Sequence, residues 1–91
     1  MAANNKISIR WGLTWQANAG NHDLMVKGVR VGSVKIMYGA GYTWTTQDTK
    51  DFPAVTAFES DRLFPVFATQ DEAKASMTTF VALALNSAGL A

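Results

Sequence analysis

Residues 63–85 read LFPVFATQDEAKASMTTFVALAL, and this stretch decides the fold: a short apolar segment, residues 63–68, runs directly into an amphipathic helix. Thr69 and Glu72 have the spacing of a capping box, in which a threonine hydroxyl accepts from the amide three residues on and the glutamate reaches back to the threonine amide. Thr69 is therefore the expected N-cap. Asp71 and Glu72 place negative charge in the first turn, where it complements the unpaired amides and the positive end of the helix dipole. Ala73, Met77, Phe80, Val81, Ala84 and Leu85 then recur at the spacing of one helical stripe, with Gln70, Lys74, Thr78 and Ser87 on the other side. Gly89 is a suitable helix terminator, so the helix is expected over residues 69–88. A lone helix of this length is marginal in water. Its broad apolar stripe calls for a sheet as partner.

The residues upstream supply that sheet. Residues 1–5 are expected to form a frayed polar lead. Ile7, Ile9, Trp11, Leu13 and Trp15 alternate with polar or small residues at period two, the pattern of a strand buried on one face. Residues 16–23 carry turn chemistry, Leu24 and Val26 resume the alternation, and Lys27-Gly28 is a tight hairpin turn. Residues 29–38 form a second long strand whose phase switches: Val29 and Val31 are odd, whereas Val34, Ile36 and Tyr38 are even. A bulge near Gly32-Ser33 reconciles the two halves, and a strand buried on both sides is the alternative. After a turn at Gly39-Ala40-Gly41, Tyr42 and Trp44 alternate with threonines. The expected meander thus spans residues 7–46. Residues 47–62 read as a long loop with an edge strand over 54–58, and Pro65 favours an edge position for the strand at 63–68. The fold class is α+β: a four- to five-stranded antiparallel sheet with one C-terminal helix on one face, in a single domain.

Composition narrows the function. The chain has 91 residues, 48% of them hydrophobic and only 16% charged, against the roughly 25% charged residues of ordinary soluble domains. A surface so poor in charge suits a chain held against a partner or against a copy of itself. The net charge of +1 argues against affinity built mainly on phosphate neutralisation. With no cysteine there is no disulfide framework and no thiolate chemistry. The polar start lacks a secretory leader, and the longest apolar run, residues 80–85, is far short of the ~20 residues that span a bilayer. A cytoplasmic protein without membrane contact is expected.

No constellation carries an enzyme's chemistry. His22 beside Asp23 reads as a solvated turn, and the single histidine without cysteine leaves zinc without ligands. Gly39-Ala40-Gly41 precedes a strand where a phosphate loop needs a helix. The expectation is a non-enzyme with no catalytic residue, metal or cofactor. Two groups of charges remain. Asp48, Asp51, Glu59 and Asp61 concentrate the acidic residues in one segment, a candidate contact for a basic partner. Arg10, Lys27, Arg30 and Lys35 lie on or between the expected strands, a candidate nucleic-acid surface beside Trp11, Trp15 or Trp44.

The elements Val31-Gly32-Ser33-Val34, Gly41-Tyr42-Thr43-Trp44 and Phe67-Ala68-Thr69 followed by Glu72-Ala73-Lys74-Ala75 resemble small bacteriophage proteins with a strand meander that ends in an F-x-T-x-x-E-A-K helix. This resemblance covers most of the chain. It implies a binding module that inhibits or occludes a host protein complex, such as a nuclease complex of the anti-CRISPR target class or RNA polymerase, or a minor virion part, acting in the host cytoplasm. The order of three strands and a Thr-x-x-Glu-Ala helix is also similar to the plant ethylene-response DNA-binding domain and to the arm-binding domains of phage integrases. Those read DNA with the sheet face away from the helix. Here Ser8, Gly12 and Thr14 accompany Arg10 where those domains carry a run of Arg and Trp. The leading expectation is therefore a host-protein binder, with a nucleic-acid-binding sheet or a homo-oligomeric structural subunit as alternatives.

Overall fold

The computed structural model of the chain describes residues 12–62 and 65–87. They form a five-stranded antiparallel sheet in the order β1-β2-β3-β4-β5, with one C-terminal helix, an α+β architecture. The strands are β1 (Leu13–Asn18), β2 (Asn21–Val26), β3 (Val29–Met37), β4 (Gly41–Thr46) and β5 (Phe58–Glu59). A 3-10 turn, Ser60–Arg62, follows β5, and the helix α1 runs Gln70–Ser87. Each strand pairs with its sequence neighbour, as short connections favour.

The first two hairpins close through two-residue turns with positive φ at both positions, Ala19 (50°) with Gly20 (87°) and Lys27 (50°) with Gly28 (82°). That geometry matches the right-handed twist of the flanking strands. The first turn corrects the reading of residues 16–23 as a loop: β1 runs on to Asn18 and β2 begins at Asn21, paired with it. Turn-forming Asn18, Asn21 and Asp23 are strand residues here because the ladder and the core beneath override local preference. Residues 7–11 lie outside the described residues, and of the expected first strand the structure describes the part from Leu13.

Opposite residues of paired strands share a face, so the register sorts every side chain. Leu13, Trp15 and Ala17 of β1, His22, Leu24 and Val26 of β2, Val29, Gly32, Val34 and Ile36 of β3, and Tyr42, Trp44 and Thr46 of β4 face one side. The change of phase in β3 is a bulge at Val31: Leu24 pairs with Gly32 and Met25 with Arg30, which leaves Val31 as the extra residue. The bulge sits one residue earlier than the sequence pattern places it. It buries Val31 and Val34 in the same core despite their opposite parity.

α1 lies across β3 and β4. Ala73, Met77, Val81 and Leu85 are fully buried, and Phe80 and Ala84 are partly buried against the same cluster. Thr78, assigned to the outer side from spacing, is buried; its hydroxyl donates to the Lys74 carbonyl (2.8 Å), which removes the cost of hiding it. The N-terminus is the capping box: Thr69 Oγ1 accepts from the Glu72 amide (3.2 Å) and Glu72 Oε1 accepts from the Thr69 amide (3.2 Å). Close packing of helix on sheet depends on Gly32, where a methyl group would meet the Thr45 carbonyl oxygen, Met77 Cε at 2.7 Å and Thr46 Cα at 2.8 Å.

The segment after β4 differs from the expected loop. Phe52 and Val55 turn inward to join the core. Thr46 Oγ1 donates to the Thr56 carbonyl (2.6 Å), and Thr49 Oγ1 holds both the amide and the carbonyl of Phe52. The edge strand expected over residues 54–58 is β5, shifted to Phe58–Glu59. The strand expected at 63–68 is, among the described residues, a single bridge between Phe67 and Tyr42.

Two substitutions test this account. Gly32→Ala forces methyl, helix and neighbouring backbone apart and should lower stability by about 2 kcal/mol or more. Ala19→Gly should do the opposite. An alanine at positive φ is strained by ~1–2 kcal/mol, and part of that is returned as glycine's greater unfolded entropy, for a net gain of about 0.5–1 kcal/mol. Urea unfolding of both variants beside the wild type measures both shifts.

Candidate interaction surface

The side of the sheet away from α1 presents Thr14, Gln16, Asp23, Met25, Arg30, Ser33, Lys35, Met37, Thr43, Thr45 and Glu59, by the same register. It is built of short hydroxyls with a few charges. Two shallow depressions cross it, of about 580 and 260 Å³. Both are lined by Lys35, Thr45 and Glu59; the larger adds Arg62 and the smaller adds Asp61.

Several charges on this face are already partnered. Asp23 is buried, accepts from Asn18 Nδ2 (3.2 Å) and lies 3.7 Å from Arg30 Nε. Arg62 Nε stands 3.5 Å from Glu59. Lys35, exposed in the C-terminal part of β3, makes no hydrogen bond or ion pair among the described residues. The face therefore carries Arg30, Lys35 and Arg62 against Asp23, Glu59 and Asp61, a matched set with no excess of either sign.

The four acidic candidates separate. Glu59 and Asp61 reach the depressions beside Lys35. Asp48 instead accepts the Ala57 amide (2.9 Å) and holds the segment after β4 closed, and Asp51 is exposed on that segment. Of the basic candidates, Arg30 and Lys35 share the helix-free face, Lys27 occupies the turn between β2 and β3, and Arg10 lies outside the described residues. The aromatics do not join them. Trp15 is on the helix side with Lys74 Nζ 5.0 Å from its ring centroid, and Trp44 is fully buried. His22 and Asp23, read as neighbours in a loop, are successive residues of β2 and so point to opposite faces. Among the described residues no three His, Asp or Glu side chains come together as a metal-holding group, and no helix is long and apolar enough to cross a membrane.

The rim beside this face rests on Ser60, which the sequence reading passed over. Tyr42 exchanges backbone bonds with Phe67 across the outer edge of β4, and Thr46 faces Phe58 there. The alternation of the strand turns the Trp44 amide to the same edge between them. It donates to Ser60 Oγ (2.9 Å), which is also 2.6 Å from Thr43 Oγ1. A side-chain hydroxyl thus fills the gap between two short backbone partners. No sequence signal marks it, because an isolated serine in a polar run looks like solvent-exposed loop.

A second exposed group lies at the β3–β4 hairpin, where Ile36 and Tyr38 stand out to solvent, Tyr38 at 91% exposure. No protein-family model, curated protein or solved structure matches this chain.

Ser60→Ala leaves the buried Trp44 amide without a partner and should cost about 1–3 kcal/mol. Ser60→Thr, if its methyl is accommodated, should cost less. Thermal melts of the two variants compare these costs.

Proposed function

We propose that this chain is a non-enzymatic binding module that docks a partner protein on the helix-free face of its sheet. The observation that carries the reading is the pair of depressions sharing Lys35, Thr45 and Glu59, toward the β5 edge of a face with balanced charge. Broad, shallow relief suits a protein surface better than a small molecule, whose sites are concave enough to enclose most of the ligand. Lys35 is the directional element. It makes no ion pair among the described residues and can meet a partner's carboxylate, while Glu59 and Asp61 beside it set the register of approach and disfavour a uniformly acidic surface.

The bacteriophage resemblance makes a host protein complex the first partner to seek, with occlusion of that complex as the effect. The nucleic-acid alternative has one supporting observation, that Arg30 and Lys35 share this face with Arg62. Against it stand the Asp23 and Glu59 partners of the two arginines and the position of Trp15 and Trp44 on the other side, away from any base.

The test is affinity capture from bacterial lysate with immobilised wild type, Lys35→Glu and Asp51→Asn. A specific host protein should be captured by wild type and by Asp51→Asn, and lost with Lys35→Glu at unchanged thermal stability. Equal capture by all three would move the contact off this face, and no specific capture would count against the module. In a parallel salt series with double-stranded DNA, tight binding that falls steeply with salt would favour the alternative instead.

A further inference from the structure

We propose that two copies of this chain associate through β1, edge to edge and antiparallel, about a two-fold axis beside Trp15. β1 is the terminal strand of the sheet, and its pairing with β2 fixes which of its backbone groups are used. The Lys27 amide donates to the Gly12 carbonyl, and the hairpin closes at Asn18 opposite Asn21. Even-numbered residues therefore turn their amides and carbonyls toward β2. By alternation those of Leu13, Trp15 and Ala17 point to the outer edge, where β1 pairs with no other strand among the described residues.

The two edges of the sheet are treated differently. At the far edge the outward amides of β4 meet Phe67, Ser60 and the two-residue β5, and Glu59 and Arg62 add charge beside them. Among the described residues β1 carries none of the usual guards. LTWQAN has no lysine, no other charge and no proline, and its ladder to β2 is regular from end to end. Such an edge is a template for another extended strand.

The strand also fits itself. Outward-facing residues must pair with outward-facing residues, so odd meets odd and the faces of the two sheets stay aligned. The register that uses all three sets Leu13 against Ala17 of the second copy, Trp15 against Trp15, and Ala17 against Leu13. Large side chains thus meet small ones on either side of an aromatic pair, and Thr14 meets Gln16 on the polar side. No charge in β1 opposes its own copy. The symmetry axis runs through the sheet, so both helices remain on one side and both helix-free faces on the other. This association therefore stands or falls independently of docking on that face. Lys74, with its ammonium 5.0 Å from the Trp15 ring centroid, brings like charges toward the seam. Screening salt should then strengthen the dimer, the reverse of an ion-paired interface.

Sedimentation analysis of the full chain across a concentration and salt series tests this. The expected result is a dimer that dissociates on dilution and tightens with added salt. Ala17→Pro removes an amide that points away from β2, and Gln16→Lys places a guard charge on the edge. Each should raise the dissociation constant at least about tenfold, a loss of some 1.4 kcal/mol, with the circular dichroism spectrum unchanged. If the proline variant fails to fold, the lysine variant decides. A wild-type chain that stays monomeric throughout, or a dimer that both folded variants leave intact, would overturn the proposal.

Discussion

Trp44 must hide an indole ring while finding acceptors for two N–H donors, and the way the chain meets both demands ties its elements together. The ring packs against both Phe58 and Phe80, with centroids 5.4 and 5.1 Å away, and those two rings stack on each other at 4.9 Å, closing a triangle of aromatics. β5 and α1 are thereby fixed to β4 through one aromatic group. The indole Nε1 donates to Ser76 Oγ (3.1 Å) on the helix, and the backbone amide donates to Ser60 Oγ on the 3-10 turn. An aromatic trio of this kind contributes roughly 0.5–1.5 kcal/mol per pair beyond its area. Leaving either donor buried and unpaired would offset much of that. Ser60 and Ser76 are thus as much part of the core as the rings they serve.

This arrangement fixes where function can reside. With Trp15, Tyr42, Trp44 and Phe58 turned toward the helix, most of the apolar content of the strands lies on that side, and Met25 and Met37 stand on the other. The other side keeps threonines, a serine, a glutamine and a small set of balanced charges. Among the described residues no second layer packs on that face, although Asp23, Ser33 and Thr43 on it are buried. Its polarity is what lets the two-layer architecture stand in water, and it makes this face the surface on which the proposed docking would act.

Period-two and period-3.6 patterns made the helix, its capping box and the strands from Leu24 to Thr46 legible, because burial on one face forces those periods. Ala73, Met77, Val81 and Leu85 were readable for the same reason. The first turn was legible within residues 16–23 but not in its limits, since alanine at positive φ is disfavoured at Ala19 and Asn18 and Asn21, turn formers by preference, close the ladder instead. Phe52 and Val55 gave no periodic signal because they are anchored by Thr49 and Thr46 rather than by a ladder. The site was half legible. Lys35, Glu59 and Asp61 were identifiable as charges, but grouping them by sequence mixed residues from different sides of the fold. Asp48 was set apart by a backbone bond and Lys27 by its place in a turn.

The composition of the helix-free face bears on what it costs to cover. Ordering a lysine or glutamate at an interface costs up to about 2 kcal/mol of rotamer entropy, whereas threonine and serine have little to lose. On the helix-free face Thr14, Ser33, Thr43 and Thr45 therefore lose little, whereas Gln16, Met25, Arg30, Lys35, Met37 and Glu59 carry the rotamer freedom, and the Thr43 hydroxyl is held by that of Ser60 on the rim. Under the proposed docking the ordering cost falls on these long side chains rather than on the hydroxyls, so affinity is set by how well the few long ones are matched.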